Sequence, residues 1–153
     1  MRVLPALALA LVLAAQPALA KPKHCLSKGE VRSEQIIRHG VFLREAANAC
    51  EGTYVSGVRK AWEDFVVRFN DRFKKANDDR IKAFQREFPD NWKRMITSAD
   101  GQIVTYHRHT PLTKGYCENV DELVKELSGG FNAFTTQAET IQNEVLSDYK
   151  NCR

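Results

Sequence analysis

Beyond residue 20 the chain has no run of 18 apolar residues, so nothing there reads as a membrane-spanning helix. It also has no C-x-x-C pair, since no two cysteines lie closer than Cys25 and Cys50. That removes the spacing that seeds a zinc site, the C-x-x-C-H of ordinary c-type haem attachment, and a thioredoxin-like redox motif. A Gly-rich phosphate loop, H-E-x-x-H and G-x-S-x-G are absent as well, so no nucleotide, metalloprotease or hydrolase signature stands out. Met95 is the only methionine after Met1, and no axial ligand pair for a haem bundle suggests itself. An excess of one charge is lacking too: 23 Lys and Arg face 19 Asp and Glu, a formal net of +4. A nucleic-acid binder concentrates more basic charge than this.

What is present starts with an export signal. Met1-Arg2 is a short positive start, Val3 to Ala15 an Ala/Leu run, and Ala18-Leu19-Ala20 the small-x-small pattern cut by signal peptidase. Residues 1–20 are therefore expected to be a cleaved signal peptide. Residues 21–153 form a single helical domain by length, destined for the periplasm of a bacterium and without a transmembrane segment. In that oxidising compartment the even set Cys25, Cys50, Cys117 and Cys152 reads as two disulfides. Lys21-Pro22-Lys23-His24 fails as an N-terminal copper site, because histidine comes fourth after cleavage and Pro22 removes a required amide.

Three helical segments follow. Ser27-Lys28-Gly29-Glu30 is a capping box, and Ile36, Gly40, Leu43, Ala47 and Cys50 step along one face to the stop at Glu51-Gly52-Thr53. His39 on this helix reads as a structural side chain. The second helix starts near Ser56 with an aromatic stripe of Val58, Trp62, Phe65, Phe69, Phe73 and Ala76. Phe65 and Phe69 are expected to face the Gly/Ala side of the first helix. The register shifts at Asn77-Asp78-Asp79, and Pro89 ends the segment. From Cys117 the positions Val120, Val124, Leu127, Phe131, Phe134, Ala138, Ile141 and Val145 alternate steps of four and three, continued by Tyr149 and Cys152. Unbroken, about 36 residues would make a rod on the order of 54 Å. Ser128-Gly129-Gly130 is its weak point, at about 1 kcal/mol per glycine relative to Ala, and the continuous stripe predicts one bent helix.

Between the second and third segments the period changes. Trp92–Thr97 and Ile103–His107 are rich in β-branched and aromatic residues around Asp100-Gly101, the signal for a β-hairpin. The expected fold is mainly α: an up-down-up three-helix antiparallel bundle of long helices, with a small β-hairpin or loop tip inserted at about 89–116. A bridge needs Cα atoms within about 7 Å, so neither cysteine pair at the two ends of one helix can join. With three passages the first and third helices run the same way, which pairs Cys25–Cys117 and Cys50–Cys152.

The unusual chemistry gathers in that tip: Trp92, Lys93, Arg94, Tyr106, His107, Arg108 and His109. Aromatics interleaved with Arg suit stacking and anion pairing. The function expected is an exported, non-enzymatic binding or interaction protein acting through this aromatic-basic tip. Its partner would be a protein, glycan or anionic ligand of the periplasm, with no cofactor and no nucleic acid. The alternatives are a divalent metal-binding protein using His107 and His109 as strand neighbours, or a small periplasmic hydrolase for which no carboxylate pair is singled out.

Overall fold

The capping box at Ser27 does what the sequence implies. The Ser27 hydroxyl accepts from the Glu30 amide, and the Glu30 carboxylate takes the Ser27 amide at 2.7 Å. Helix α1 (Lys28–Cys50) starts there. The structure, a computed structural model, describes residues 25–148 and 150–152; the expected signal peptide at 1–20 and the Lys21–His24 leader lie outside the described residues, as do Tyr149 and Arg153. After α1 come α2 (Val58–Arg68), α3 (Asn70–Glu87), α4 (Trp92–Arg108), α5 (Lys114–Glu126) and α6 (Phe131–Ile141). The single turn α7 (Val145–Asp148) follows. Strand β1 (Cys25–Leu26) pairs in parallel with β2 (Lys150–Asn151). No helix among the described residues is long and apolar enough to cross a membrane.

The fold is mainly helical with two disulfides, as expected, but the three long helices are six. The aromatic segment breaks at Phe69 and not at Asn77-Asp78-Asp79, which lies inside α3. Phe69 leaves the helical conformation (φ −113°, ψ 21°), and its ring packs on Phe65 at 4.8 Å and Phe131 at 5.6 Å. The C-terminal segment is broken as well. Gly130 adopts φ 82°, a conformation that L side chains rarely reach, so the glycine ends one helix and lets the next begin. The stripe survives the break because Phe134 and Ala138 of α6 are fully buried beside Val120, Val124 and Leu127. Trp62, Phe65, Phe73 and Phe134 form the aromatic centre, with Phe73 and Phe134 at 5.1 Å. It is Phe73, rather than Phe65 or Phe69, that sits against Gly40: a Cβ there would lie 3.4 Å from its ring.

The largest departure is residues 92–108, which form α4 and no hairpin. Glycine at 101 stays within the helix, and the neighbouring Asp100 carboxylate lies 2.7 Å from the Arg80 guanidinium of α3. Tertiary pairing here overrides a local turn preference. Contacts along α1 then give the direction of every passage. α3 descends: Phe73 meets Gly40, Arg80 meets Glu34, and Arg86 meets Glu30. α4 climbs, from Asp100 beside that Arg80 to His107 against Phe42 and Arg108 on Glu45. α5 and α6 descend again, from Cys117 to Gln137 at His39 and on to the carbonyl of Gln142 at Gln35. The bundle therefore has four passages, up-down-up-down.

An added passage reverses the last segment and with it the cysteine pairing. The bridges are Cys50–Cys117 (Cα–Cα 5.4 Å) at one end and Cys25–Cys152 (5.0 Å) at the other, in place of the expected Cys25–Cys117 and Cys50–Cys152. The geometric exclusion of bridges within one helix holds; the parity of passages does not. Non-reducing peptide mass spectrometry should find Cys25 linked to Cys152 and Cys50 to Cys117. Reduction should lower the urea midpoint sharply, since each closed loop contributes about 4–5 kcal/mol in the chain-entropy account. Recovery of a Cys25–Cys117 peptide would mean that α4 does not traverse the molecule.

Candidate functional site

α4 carries a helical row of apolar side chains, Met95, Ala99, Ile103 and Tyr106, yet none of its residues is buried. It contacts only α1 and α3 closely, and on its other side a cleft of about 1060 Å³ separates it from residues 141–148. Arg38 and Phe42 of α1 form part of the lining, with Phe84 and Phe88 from α3 and its end. Across from α4 stand Ile141, Gln142, Glu144 and Asp148, and Tyr116 also lines the space. Tyr106 is 73% exposed and Ile141 38%, so large apolar side chains are left in water at the rim. Ligand clefts typically have about this volume, with apolar and aromatic walls and a few polar groups.

Beside the cleft lies a chain of charges. Glu34 and Arg80 are almost fully buried and paired to each other, and Arg80 Nη2 is also 2.7 Å from Asp100 Oδ1. Arg38 Nε donates to the second Glu34 oxygen at 3.0 Å; its Nη1 donates to Asp148 at 2.7 Å and lies 3.6 Å from Glu144. Burial works against both guanidinium charges, but the surrounding carboxylates outweigh it and hold both above the ordinary arginine range. Removing one member should therefore cost more than removing the pair. Glu34→Ala leaves Arg80 buried with a lost partner and should destabilise by about 3–5 kcal/mol, whereas Glu34→Leu with Arg80→Met should cost clearly less. Urea unfolding of the three proteins checks the order. Equal or greater loss in the double variant would make the pair a net source of stability.

His39 is fully buried between Phe42 and Phe134, with ring centroids at 5.6 and 5.0 Å. Its tautomer follows from Gln137. The Gln137 amide nitrogen donates to the Leu123 carbonyl and to Glu126, which leaves Oε1 facing His39 Nε2 at 3.2 Å. Nε2 must therefore carry the proton. Nδ1 is buried without a hydrogen-bond partner among the described residues. Burial pushes this imidazole down to about 4, opposed by the Gln137 bond and helped by nearby His107. The unfolded chain thus binds a proton near pH 6.5 that the fold refuses until about pH 4. Stability from neutral His39 is present above pH 6.5 and declines by about 3 kcal/mol as pH falls toward 4. Urea midpoints measured from pH 7 to 4 should show this slope, and His39→Gln should flatten most of it. An unchanged slope would place the acid sensitivity elsewhere.

The seven residues expected to share one tip are divided. Trp92, Lys93 and Arg94 stand at the start of α4, and Tyr106, His107, Arg108 and His109 at or just past its end, about 21 Å along the axis. At the first end Lys93 and Arg94 are exposed, and Lys93 Nζ lies 5.6 Å from the Trp92 ring centre. At the other, Tyr106 and His107 line the cleft. Burial pushes His107 down, against Glu144 and Glu45, which favours its neutral form. Arg108 turns away to pair with Glu45 at 2.7 Å, and His109 Nδ1 lies 2.8 Å from the Thr105 carbonyl oxygen of its own helix. Two positions apart on a helix is about 200° around the axis, so His107 and His109 do not converge as strand neighbours would. Among the described residues one cluster of three potential metal-ligating residues occurs, Cys25, Glu87 and Cys152. Both its sulfurs are joined to each other and offer no thiolate.

Sequence reasoning missed most of the cleft: Arg38, Phe42, Phe84, Phe88, Tyr116, Ile141, Glu144 and Asp148 come from four separate segments. The 3–4 spacing of Met95, Ala99, Ile103 and Tyr106 was the signal that could have revealed α4. No family model, curated protein or solved structure matches this chain.

Proposed function

We propose that the protein is an exported, periplasmic, non-enzymatic binding protein whose ligand is an amphipathic small molecule seated in the cleft beside α4. The observation that carries this reading is the cleft itself: about 1060 Å³, walled by aromatic and aliphatic side chains, with Tyr106 and Ile141 left exposed at its rim. The apolar faces of α1, α2, α5 and α6 are used on one another in a closed core, while that of α4 is not. A side chain row of this kind in water is costly unless something covers it. The aromatic part of the expected tip keeps its role through Tyr106 and His107. Trp92, Lys93 and Arg94 fall outside the site, and Arg108 is committed to Glu45. The leader at 1–20 and the enclosure of all four cysteines in bridges support export to an oxidising compartment.

The fluorescent probe N-phenylnaphthylamine, which brightens in apolar surroundings, tests the site. The mature protein should bind it with micromolar affinity. Ala99→Trp, which places a large ring in the cleft from a half-exposed helix position, should weaken binding on the order of tenfold while leaving the helical circular dichroism unchanged. Ile103→Trp serves as a second filling variant. Failure of the probe to bind, or binding indifferent to both substitutions, would remove the cleft as the functional site.

A further inference from the structure

We infer that the cleft selects a cationic amphiphile, an alkyl- or aryl-ammonium whose apolar body lies along α4 and whose positive head meets the carboxylates of the opposite wall. This rests on the cleft being the binding site. The protein as a whole is basic, with a formal net charge of +4, but the ionic groups at the cleft are not. Among the described residues Arg38 is the one lysine or arginine in the lining, and the carboxylates of Glu34, Asp148 and Glu144 surround it. Its donors are directed into Glu34 and Asp148 at 3.0 and 2.7 Å. An anionic head approaching it would have to displace those carboxylates and would meet their repulsion first. A cationic head meets carboxylate oxygens that stand about half exposed at Glu144 and Asp148. Burial disfavours the charged form of His107, the other ionisable nitrogen in the lining. The walls agree with the charge. Phe42, Phe84, Phe88, Tyr106 and Tyr116 line the space, and ring faces attract ammonium groups. Rings beside carboxylates suit an organic cation; a hydrated inorganic ion would gain nothing from the apolar part.

The test displaces bound N-phenylnaphthylamine from the full mature protein with two probes of equal chain length, dodecyltrimethylammonium and dodecanoate, each below its micelle concentration. The ammonium should displace at roughly tenfold lower concentration at low salt, and the preference should shrink at high ionic strength. Asp148→Asn should reduce the ratio of the two displacing concentrations. The wild-type salt dependence supplies the same information should that variant not fold. Equal displacement by the two probes, or stronger displacement by dodecanoate, overturns the cationic preference and leaves the cleft standing as a binding site. A dimer in solution that excludes the naphthylamine would assign the cleft to a second copy of the chain and overturn the proposal.

Discussion

Every passage of the bundle meets at one buried ion pair, Glu34 with Arg80. Glu34 belongs to α1 and Arg80 to α3; Arg80 reaches Asp100 on α4, and Glu34 reaches through Arg38 to Asp148 in α7. Among the described residues no apolar cluster joins all four passages in this way. The aromatic centre binds α1, α2, α3, α5 and α6, while a smaller cluster of Leu26, Val31, Ala83 and Val145 gathers the far end. α4 takes no part in either. The pair is an expensive way to join elements, because taking two charges out of water offsets most of their attraction. What it supplies is position: Arg80 ties Asp100 of α4 to α3, and Arg38 ties Glu34 of α1 to Asp148 of α7. The cleft lies between α4 and α7.

Much of the architecture was legible in the sequence where local chemistry and packing agree. The Ser27–Glu30 box and the stop after Cys50 delimit α1, and the Phe/Trp row gives the buried face of α2 and α3. The failures came where a residue had two uses. Asp100-Gly101 is a strong turn signal, yet Asp100 is needed as a carboxylate for Arg80, and a glycine costs a helix only about 1 kcal/mol. Reading that one segment as a hairpin removed a passage, reversed the C-terminal rod and exchanged the disulfide partners. A single local error thus propagated into global topology through parity. Charges at Glu34 and Arg80 were invisible for a different reason: charged side chains are read as surface, and only a contact map shows a pair that is buried.

The candidate site was legible only in part, because it is assembled from α1, α3, α4, α5 and the end of α6 with the chain after it. Tyr106 and His107 were singled out for their chemistry and do line the cleft, whereas Trp92, Lys93 and Arg94 were grouped with them by a turn that does not exist. His39 shows how much of an imidazole's role is set by its surroundings. The same residue type is a buried donor between two phenylalanines at position 39, a wall of the cleft at 107, and a cap on its own helix at 109.

The two walls of the cleft are held differently. The bridges fasten the two ends of the C-terminal passage to the two ends of α1, at Cys50–Cys117 and Cys25–Cys152. The wall at residues 141–148 is therefore covalently framed. α4 is joined to its neighbours by ionic ties at Asp100 and Arg108 and by half-buried apolar contacts. The Arg108–Glu45 tie is largely exposed on the arginine side and contributes about 0–1 kcal/mol. Its N-terminus has no side-chain cap, and Lys93 and Arg94 sit in the first turn, where the helix dipole disfavours cations. Local opening follows the elements with the fewest buried contacts. α4 has no fully buried side chain of its own and takes no part in the aromatic core, so it is the part of the cleft wall held by the fewest buried contacts, while the opposite wall is framed by the bridges.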